Sequence, residues 1–443
     1  MIYLLYIILI TVLVSCYLID NREFLSPSIV FCLSFVFSTT WAVIYSAQWE
    51  LGLHFNTFLV ILLGVLSFVA GAFMQKRFYH LSHRKSATIG TPIQIKISNI
   101  KMVIVIIIEL IIIVLSIKGI KDVTGFQNLS AAINCFDQRN KFSQHPLSLP
   151  RYLSFPRTAL TAYGYWIGYV IVSNYFAKKK MSILQIISFI LAIIPHLLSG
   201  GRGGAVNVLL AFVLLFGFFS VKKKRFYNYH IKTKYVVIGL IAAIIVISSF
   251  QRVGVLLGRN IVTTGMDLIA GYCGADVKNL DLFLQESVQK SDIWGSQTFI
   301  NIYRWIGPKI GMDGYYYQLY LPFRSVNGHS LGNVGSAFYS YYYDFGMSGV
   351  IILSLIMGLI SQYIYEKCKK AKYEKFPNIY ILTYSYIYPT LFFSFFSNKF
   401  YELCLTPAFF EYVLCWFIFS KVLCAKLVSV HRLAGNKKAI LKY

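Results

Sequence analysis

Leu198-Ser199-Gly200-Gly201-Arg202-Gly203-Gly204-Ala205 joins two apolar runs, 182–198 and 205–221. Each run is about 17 residues long, enough at ~1.5 Å per residue to cross most of a bilayer core. The break between them is therefore expected at a membrane face. Its four glycines free the backbone to take positive φ and leave N–H groups uncovered by side chains. Gly203 and Gly204 lead straight into the next helix. Exposed amides, a helix N-terminus and one guanidinium make a place suited to phosphate. The competing reading is a flexible hairpin whose arginine snorkels to lipid headgroups.

Outward from the hairpin the chain stays apolar. Of 443 residues, 57% are hydrophobic and 13% charged, and the mean hydropathy is +0.61. That balance excludes a soluble domain and implies an all-α polytopic membrane protein, organised as a single membrane domain over 1–443. The net charge of +25 does not imply nucleic acid, because the basic residues fall in short clusters between apolar runs. Eleven spans are predicted: 2–19, 26–46, 55–74, 102–117, 158–176, 182–198, 205–221, 235–250, 345–365, 378–397 and 405–420. The first lacks a basic leader and a small-residue cleavage site, so it reads as a retained helix.

Orientation follows from the clusters. Arg22 and the segments 75–101, 178–180, 222–234, 367–375 and 421–443 together hold 27 of the 42 Lys and Arg residues. All fall on one side of the alternation, which is expected to be cytoplasmic, with the N-terminus outside and the C-terminus inside. The opposite connections include two long ones, 119–157 and 251–344, far longer than a turn needs. Their basic residues differ in kind: eight arginines and seven lysines lie outside, five arginines and 22 lysines inside. Arginine is a planar fork that grips phosphate with two bonds, whereas lysine is a point charge. An anionic ligand on the extracytoplasmic face is the expectation.

The long loop carries seven acids against seven Lys and Arg. Within it, 261–270 and 276–288 look amphipathic and are expected to lie along the membrane surface as short helices. Tyr315-Tyr316-Tyr317 and the tyrosines of 339–343 read either as an interfacial aromatic belt or as platforms for sugar rings. Cys135 and Cys273 stand in the two long loops, as a disulfide or as buried thiols. Glu109 and Glu411 fall inside spans, where a carboxylate marks a proton relay or an arginine partner. There is no P-loop, no dinucleotide fingerprint, no histidine pair at metal spacing and no Asp-x-Asp, so no nucleotide, metal or other cofactor is implied.

Leu198 through Ala205 resembles the small-residue-Arg-Gly hairpin of the Wzy-type O-antigen polymerases, or oligosaccharide repeat-unit polymerases, and of the related O-antigen ligases. Asn333-Val334-Gly335 through Tyr341-Tyr342-Tyr343-Asp344-Phe345-Gly346-Met347-Ser348-Gly349-Val350 resembles the stretch with which such polymerases re-enter the membrane. Arg324 to Gly335 matches an Arg-x10-Gly spacing described for some members. The resemblance implies an integral-membrane, GT-C-like glycosyltransferase in the cytoplasmic (inner) membrane. Its substrate would be an oligosaccharide repeat on undecaprenyl pyrophosphate, polymerised into O-antigen or a related surface polysaccharide at the outer face. Membrane lipid and a chain-length regulator would be its partners. A ligase that transfers polymer to lipid A core and a lipid-linked oligosaccharide flippase are the alternatives.

On this reading the leaving pyrophosphate needs positive donors. Arg202 with Arg324 forms the expected clamp, and Arg252, Arg259 and Arg304 are secondary candidates. His329, the only histidine of the long loop, is the expected general base, and Asp344 at the membrane mouth is its rival. A capping role is the competing reading of Asp344.

Overall fold

The computed structural model describes residues 1–82, 91–143, 147–178, 180–223, 254–255, 265–287, 290–312 and 319–424. The described residues are mostly helical. Among the described residues, seven helices are long and apolar enough to cross a membrane: α1 (Ile2–Ile19), α2 (Pro27–Ile44), α3 (Phe55–Ser82), α4 (Asn99–Thr124), α8 (Gly203–Lys223), α12 (Ala337–Lys370) and α15 (Pro407–Cys424). A shorter apolar helix, α7 (Ile183–Leu197), sits beside them. The protein is thus a membrane protein of polytopic helical type. The predicted span 158–176 lies within α6 (Arg151–Lys178), whose length is ample but whose sequence is rich in Tyr, Gly and polar residues. An unbroken run from Leu160 to Asn174 is buried, so neighbouring helices, not lipid, surround α6, and an apolar coat is unnecessary. The predicted span 378–397 divides into α13 (Ile379–Phe392) and a 3₁₀ turn, Phe393–Phe395. The predicted span 235–250 lies outside the described residues.

Packing at the centre is set by small residues. α3 and α12 meet backbone to backbone: a Cβ on Gly71 would strike the Leu355 carbonyl, and one on Gly358 would strike the Phe68 carbonyl. Close approach through small residues is how helices gain contact where lipid offers no hydrophobic drive. α12 breaks at Gly346, with φ 64° and ψ −151°, a conformation that only glycine takes without strain. Predicted span 345–365 therefore begins at this break, and the helix before it carries Tyr339, Tyr341 and Tyr343. All three are buried, so they are packing residues and not a sugar platform, while Tyr342 beside them is half-buried. Tyr315, Tyr316 and Tyr317 lie outside the described residues.

Loops assigned to one side by hydropathy meet at one end of the bundle. At the lysine-rich end, Lys76 pairs with Asp20, Lys369 with Glu23, and Lys222 Nζ donates to the carbonyls of Cys368 and Ala371. At the other end, the hairpin end, α9 (Met266–Cys273) and α10 (Ala275–Gln285) lie against α2 and α3. The two expected surface helices thus exist, but α10 is not a surface helix. Its Asp276, Asn279 and Asp281 are buried. Asp276 accepts from Ser38 Oγ at 2.6 Å; Asn279 donates to the carbonyls of Leu331 and Val334. Asp281 accepts from the His54 backbone N–H and from Thr57 Oγ1, and sits 3.0 Å from His54 Nδ1. An amphipathic pattern shows only that one face differs from the other; here Val277, Leu280 and Phe283 are buried too, so the helix is enclosed on both faces and its polar face is met by hydrogen-bond partners.

The long loop also departs from an all-α chain. Arg324–Val326 (β1) pairs antiparallel with His329–Gly332 (β2). Asn327 (φ 50°) and Gly328 (φ 76°) turn between them. Asn-Gly is the strongest short hairpin signal, because both central residues need positive φ. The helix expectation for this loop overlooked it. Cys135 and Cys273 are free thiols, and burial pushes the Cys273 thiol up to about 12.

Candidate functional site

The Ser199–Gly204 hairpin is built as its composition demands. Gly200 takes φ 74° and packs on α5 (Leu129–Phe142), where a Cβ would strike Asp137. Gly204 lies against the His196 ring with no room for a Cβ, while Gly201 and Gly203 face open space. α8 begins at Gly203, and the Val206 N–H donates to the Arg202 carbonyl at 3.1 Å. Arg202 is thus the residue that opens α8, and its amide neighbours carry no side chains to cover them. The residue is 6% exposed; its guanidinium donates to the Tyr272 hydroxyl at 3.3 Å and lies 5.9 Å from the centre of that ring. Tyr272 in turn stacks on Phe396.

A second arginine reaches the same hairpin from α6. Arg157 Nη2 donates to the Pro195 carbonyl at 2.9 Å and to Ser199 Oγ at 2.5 Å. It is 8% exposed. Beside it is a cavity of about 280 Å³, lined also by His196, Ser199, Phe136 and Tyr412. Glu411, for which a proton relay or an arginine partner is the expectation, is paired with Arg151 at 2.5 Å. Glu109 is buried and accepts from Ser188 Oγ at 2.8 Å, which also contacts the Tyr163 hydroxyl.

The β-hairpin approaches from the other side. His329 Nδ1 stands 3.6 Å from Asp267 Oδ2, too long for a hydrogen bond but within ion-pair range when the ring is protonated. Asp267 and Tyr272 belong to the same helix, α9, and Gly271 between them lies against the Ser330 carbonyl. One short helix therefore touches both Arg202 and the strand that carries His329. Arg324 faces a different partner. Its Nε and Nη2 donate to the two Glu286 oxygens at 3.3 and 2.6 Å. Burial disfavours its charge, yet the Glu286 carboxylate and the Tyr339 side chain together more than restore it and hold the guanidinium above its ordinary value. A diphosphate at Arg324 has to displace Glu286.

Asp344 is fully engaged. Its carboxylate accepts the backbone N–H groups of Gln297 and Thr298 (3.1 and 2.6 Å) and lies 3.3 Å from Ser296 Oγ. It anchors the segment 296–298, 46 to 48 residues back along the chain, and these bonds are not a cap on the helix that follows Asp344. Arg304 lies on the seven-residue helix α11 (Ile300–Ile306), exposed, 3.5 Å from Asn301 Oδ1. That helix is tied to α14 (Lys399–Cys404) through Asn301 Nδ2 and the Glu402 carbonyl. Arg252 and Arg259 lie outside the described residues.

Sequence reasoning picked out Arg202 and passed over Arg157 and His196. Nothing local marks Arg157, because its partners lie 38 and 42 residues away. Pro195-His196 immediately before the hairpin was the available signal. Among the described residues no cluster of three or more metal-binding side chains occurs. No protein-family model, no curated protein and no solved structure matches the chain.

Proposed function

We propose that the protein is a membrane glycosyltransferase that polymerises oligosaccharide repeat units carried on undecaprenyl pyrophosphate. The hairpin end would face the outside of the cytoplasmic membrane, with the lysine-rich end in the cytoplasm. One observation carries the reading: a buried arginine opens a long apolar helix at a glycine turn, and a short helix links it to a loop histidine. A lipid diphosphate needs that combination. Its polyprenyl tail stays among apolar helices, while its charge is met by amides at a helix N-terminus and a guanidinium.

In the reaction an acceptor sugar hydroxyl attacks the anomeric carbon of the donor. The bond from that carbon to the phosphate oxygen breaks, and the pyrophosphate leaves with the electron pair. Arg202 stabilises the charge that develops there, a role for which removal of one donor typically costs about 10²–10³ in rate. His329 takes the hydroxyl proton, and Asp267, 3.6 Å from Nδ1, offsets the positive charge the ring then carries. Energy is stored in the sugar–pyrophosphate bond, so a nucleotide is not required.

The test is the length distribution of surface polysaccharide. Deletion of the chain should leave single-repeat caps, and Arg202→Ala should do the same while Arg202→Lys retains partial polymer. Accumulation of free lipid-linked polymer on deletion would favour the ligase reading instead. Long polysaccharide of normal distribution from Arg202→Ala would end the clamp assignment.

A further inference from the structure

The cavity between α6, α7 and α15 is not used by the chemistry above, and its lining is peculiar for a bundle of apolar helices. Arg157 is 8% exposed, and its guanidinium reaches only neutral acceptors, the Pro195 carbonyl and Ser199 Oγ. Both bonds come from Nη2. Among the described residues no carboxylate pairs with it: Glu411, the nearest acid along α15, is paired with Arg151. A buried cation without a counterion is costly, because neutral dipoles recover only part of its lost hydration. The second feature is His196, whose Nε2 is buried without a hydrogen-bond partner and whose ring lines the same cavity. Its other face is fixed against Gly204, so the ring has little freedom to turn away. The side chains of Arg157 and His196, the latter carrying the unpartnered Nε2, therefore line about 280 Å³ of space, far above the ~10–15 Å³ that one water needs.

We infer that this cavity is a binding site for a phosphate-type oxyanion, held by the Arg157 fork and the His196 Nε2 and separate from Arg202. The anion supplies the counter-charge that Arg157 lacks and the partner that His196 lacks. Ser199, which Arg157 already holds, ties the occupied cavity to the first residue of the glycine hairpin. Occupancy thereby stiffens the turn that presents Arg202. The inference is independent of the polymerase reading, since it concerns binding and not transfer.

Titration of the purified full chain in detergent with inorganic pyrophosphate, followed by calorimetry, tests it. The Arg202→Gln background removes the other arginine at the hairpin. In that background, adding Arg157→Gln should weaken the remaining binding at least tenfold, and Arg157→Lys, which keeps charge but not the fork, by less. Thr158→Phe fills the cavity without altering the charge of Arg157 and should weaken binding to a similar extent as Arg157→Gln. Melting curves accompany each variant. Because Arg157→Gln removes an uncompensated buried charge, its melting midpoint should not fall. Unchanged binding in both Arg157→Gln and Thr158→Phe overturns the site. So does equal weakening of pyrophosphate and of an uncharged sugar control, which indicates general collapse. A second arm places the chain in vesicles with or without phosphatidic acid as competitor. Competition by the lipid identifies a headgroup entering from the bilayer; its absence, with pyrophosphate still bound through Arg157, identifies a free phosphate from water. Either result supports the site.

Discussion

Asp344→Ala separates an anchor from a catalyst. The carboxylate receives the N–H groups of Gln297 and Thr298, and Ser296 Oγ lies 3.3 Å away; all three residues are buried. Hydrogen bonds to a charged acceptor contribute about 1.5–3 kcal/mol each, and an orphaned buried donor costs about 1–3 kcal/mol. The three are neighbours and do not add fully, so the alanine variant should lose about 3–5 kcal/mol. Asp344→Asn keeps one acceptor oxygen and should lose about 1–2 kcal/mol. The loss is local, because it releases the segment that joins the exposed Lys290 to α11. About 3 kcal/mol raises the open population roughly 10²-fold, and trypsin cleavage after Lys290 should accelerate by that factor when opening is fast relative to cutting. Asp344→Asn should fall between the wild type and alanine. Cleavage of Asp344→Ala at the wild-type rate, with an unchanged melting midpoint, would refute the anchor. Loss of polymer in such a stable variant would restore the carboxylate as the base.

Burial pushes the Asp276 carboxyl up to about 8, against the pull of Ser38. Between about pH 4 and 8 the unfolded chain releases this proton while the folded chain keeps it, so stability falls as pH rises, by at most about 1.4 kcal/mol per unit. Asp276→Asn removes that slope, and its melting midpoint should gain on the wild type from pH 5 to pH 8; parallel curves would contradict the assignment. Glu286→Gln frees Arg324 from its carboxylate. Because Glu286 is exposed, the pair is worth about 0.2–1 kcal/mol, and pyrophosphate affinity should rise by up to about fivefold if Arg324 belongs to the clamp. Gly358→Leu drives a side chain into the Phe68 carbonyl and should cost more than about 2 kcal/mol, whereas Gly52→Ala meets open space and should stay within about 0.5 kcal/mol; thermal unfolding in detergent compares them. Reporter fusions at Lys223 and Gln285 should report opposite sides of the membrane, and agreement between them would break the orientation.

How much of this was legible before the structure varies by element. The ends of α1, α2 and α7 fall within two residues of their predicted spans, whereas α3 runs eight residues past its predicted end; the Gly200 turn takes the positive φ its composition called for. The Asn327-Gly328 turn is equally legible, because Asn-Gly supplies two residues that take positive φ, yet no strand is among the expectations for this loop. The helix α6 covers the predicted run 158–176, but its surroundings were not legible: the same residues could have faced lipid. For the candidate site, Arg202 was legible from its glycine neighbours. The engagement of Arg324 by Glu286 and of Asp344 by 296–298 was not, since 38 and 46 to 48 residues separate the partners.

Transfer into a bilayer is decided over about 20 consecutive residues. The sequence alone therefore determined that this chain is a bundle of membrane helices with a glycine–arginine break at one end. Which polar groups are spent on the fold and which are left for a ligand depends on contacts between distant segments, such as His54 with Asp281 across 227 residues. Only the tertiary structure could decide that Arg324 and Asp344 are occupied while Arg157 and His196 border a cavity, because hydrogen bonds are satisfied in space and not along the chain.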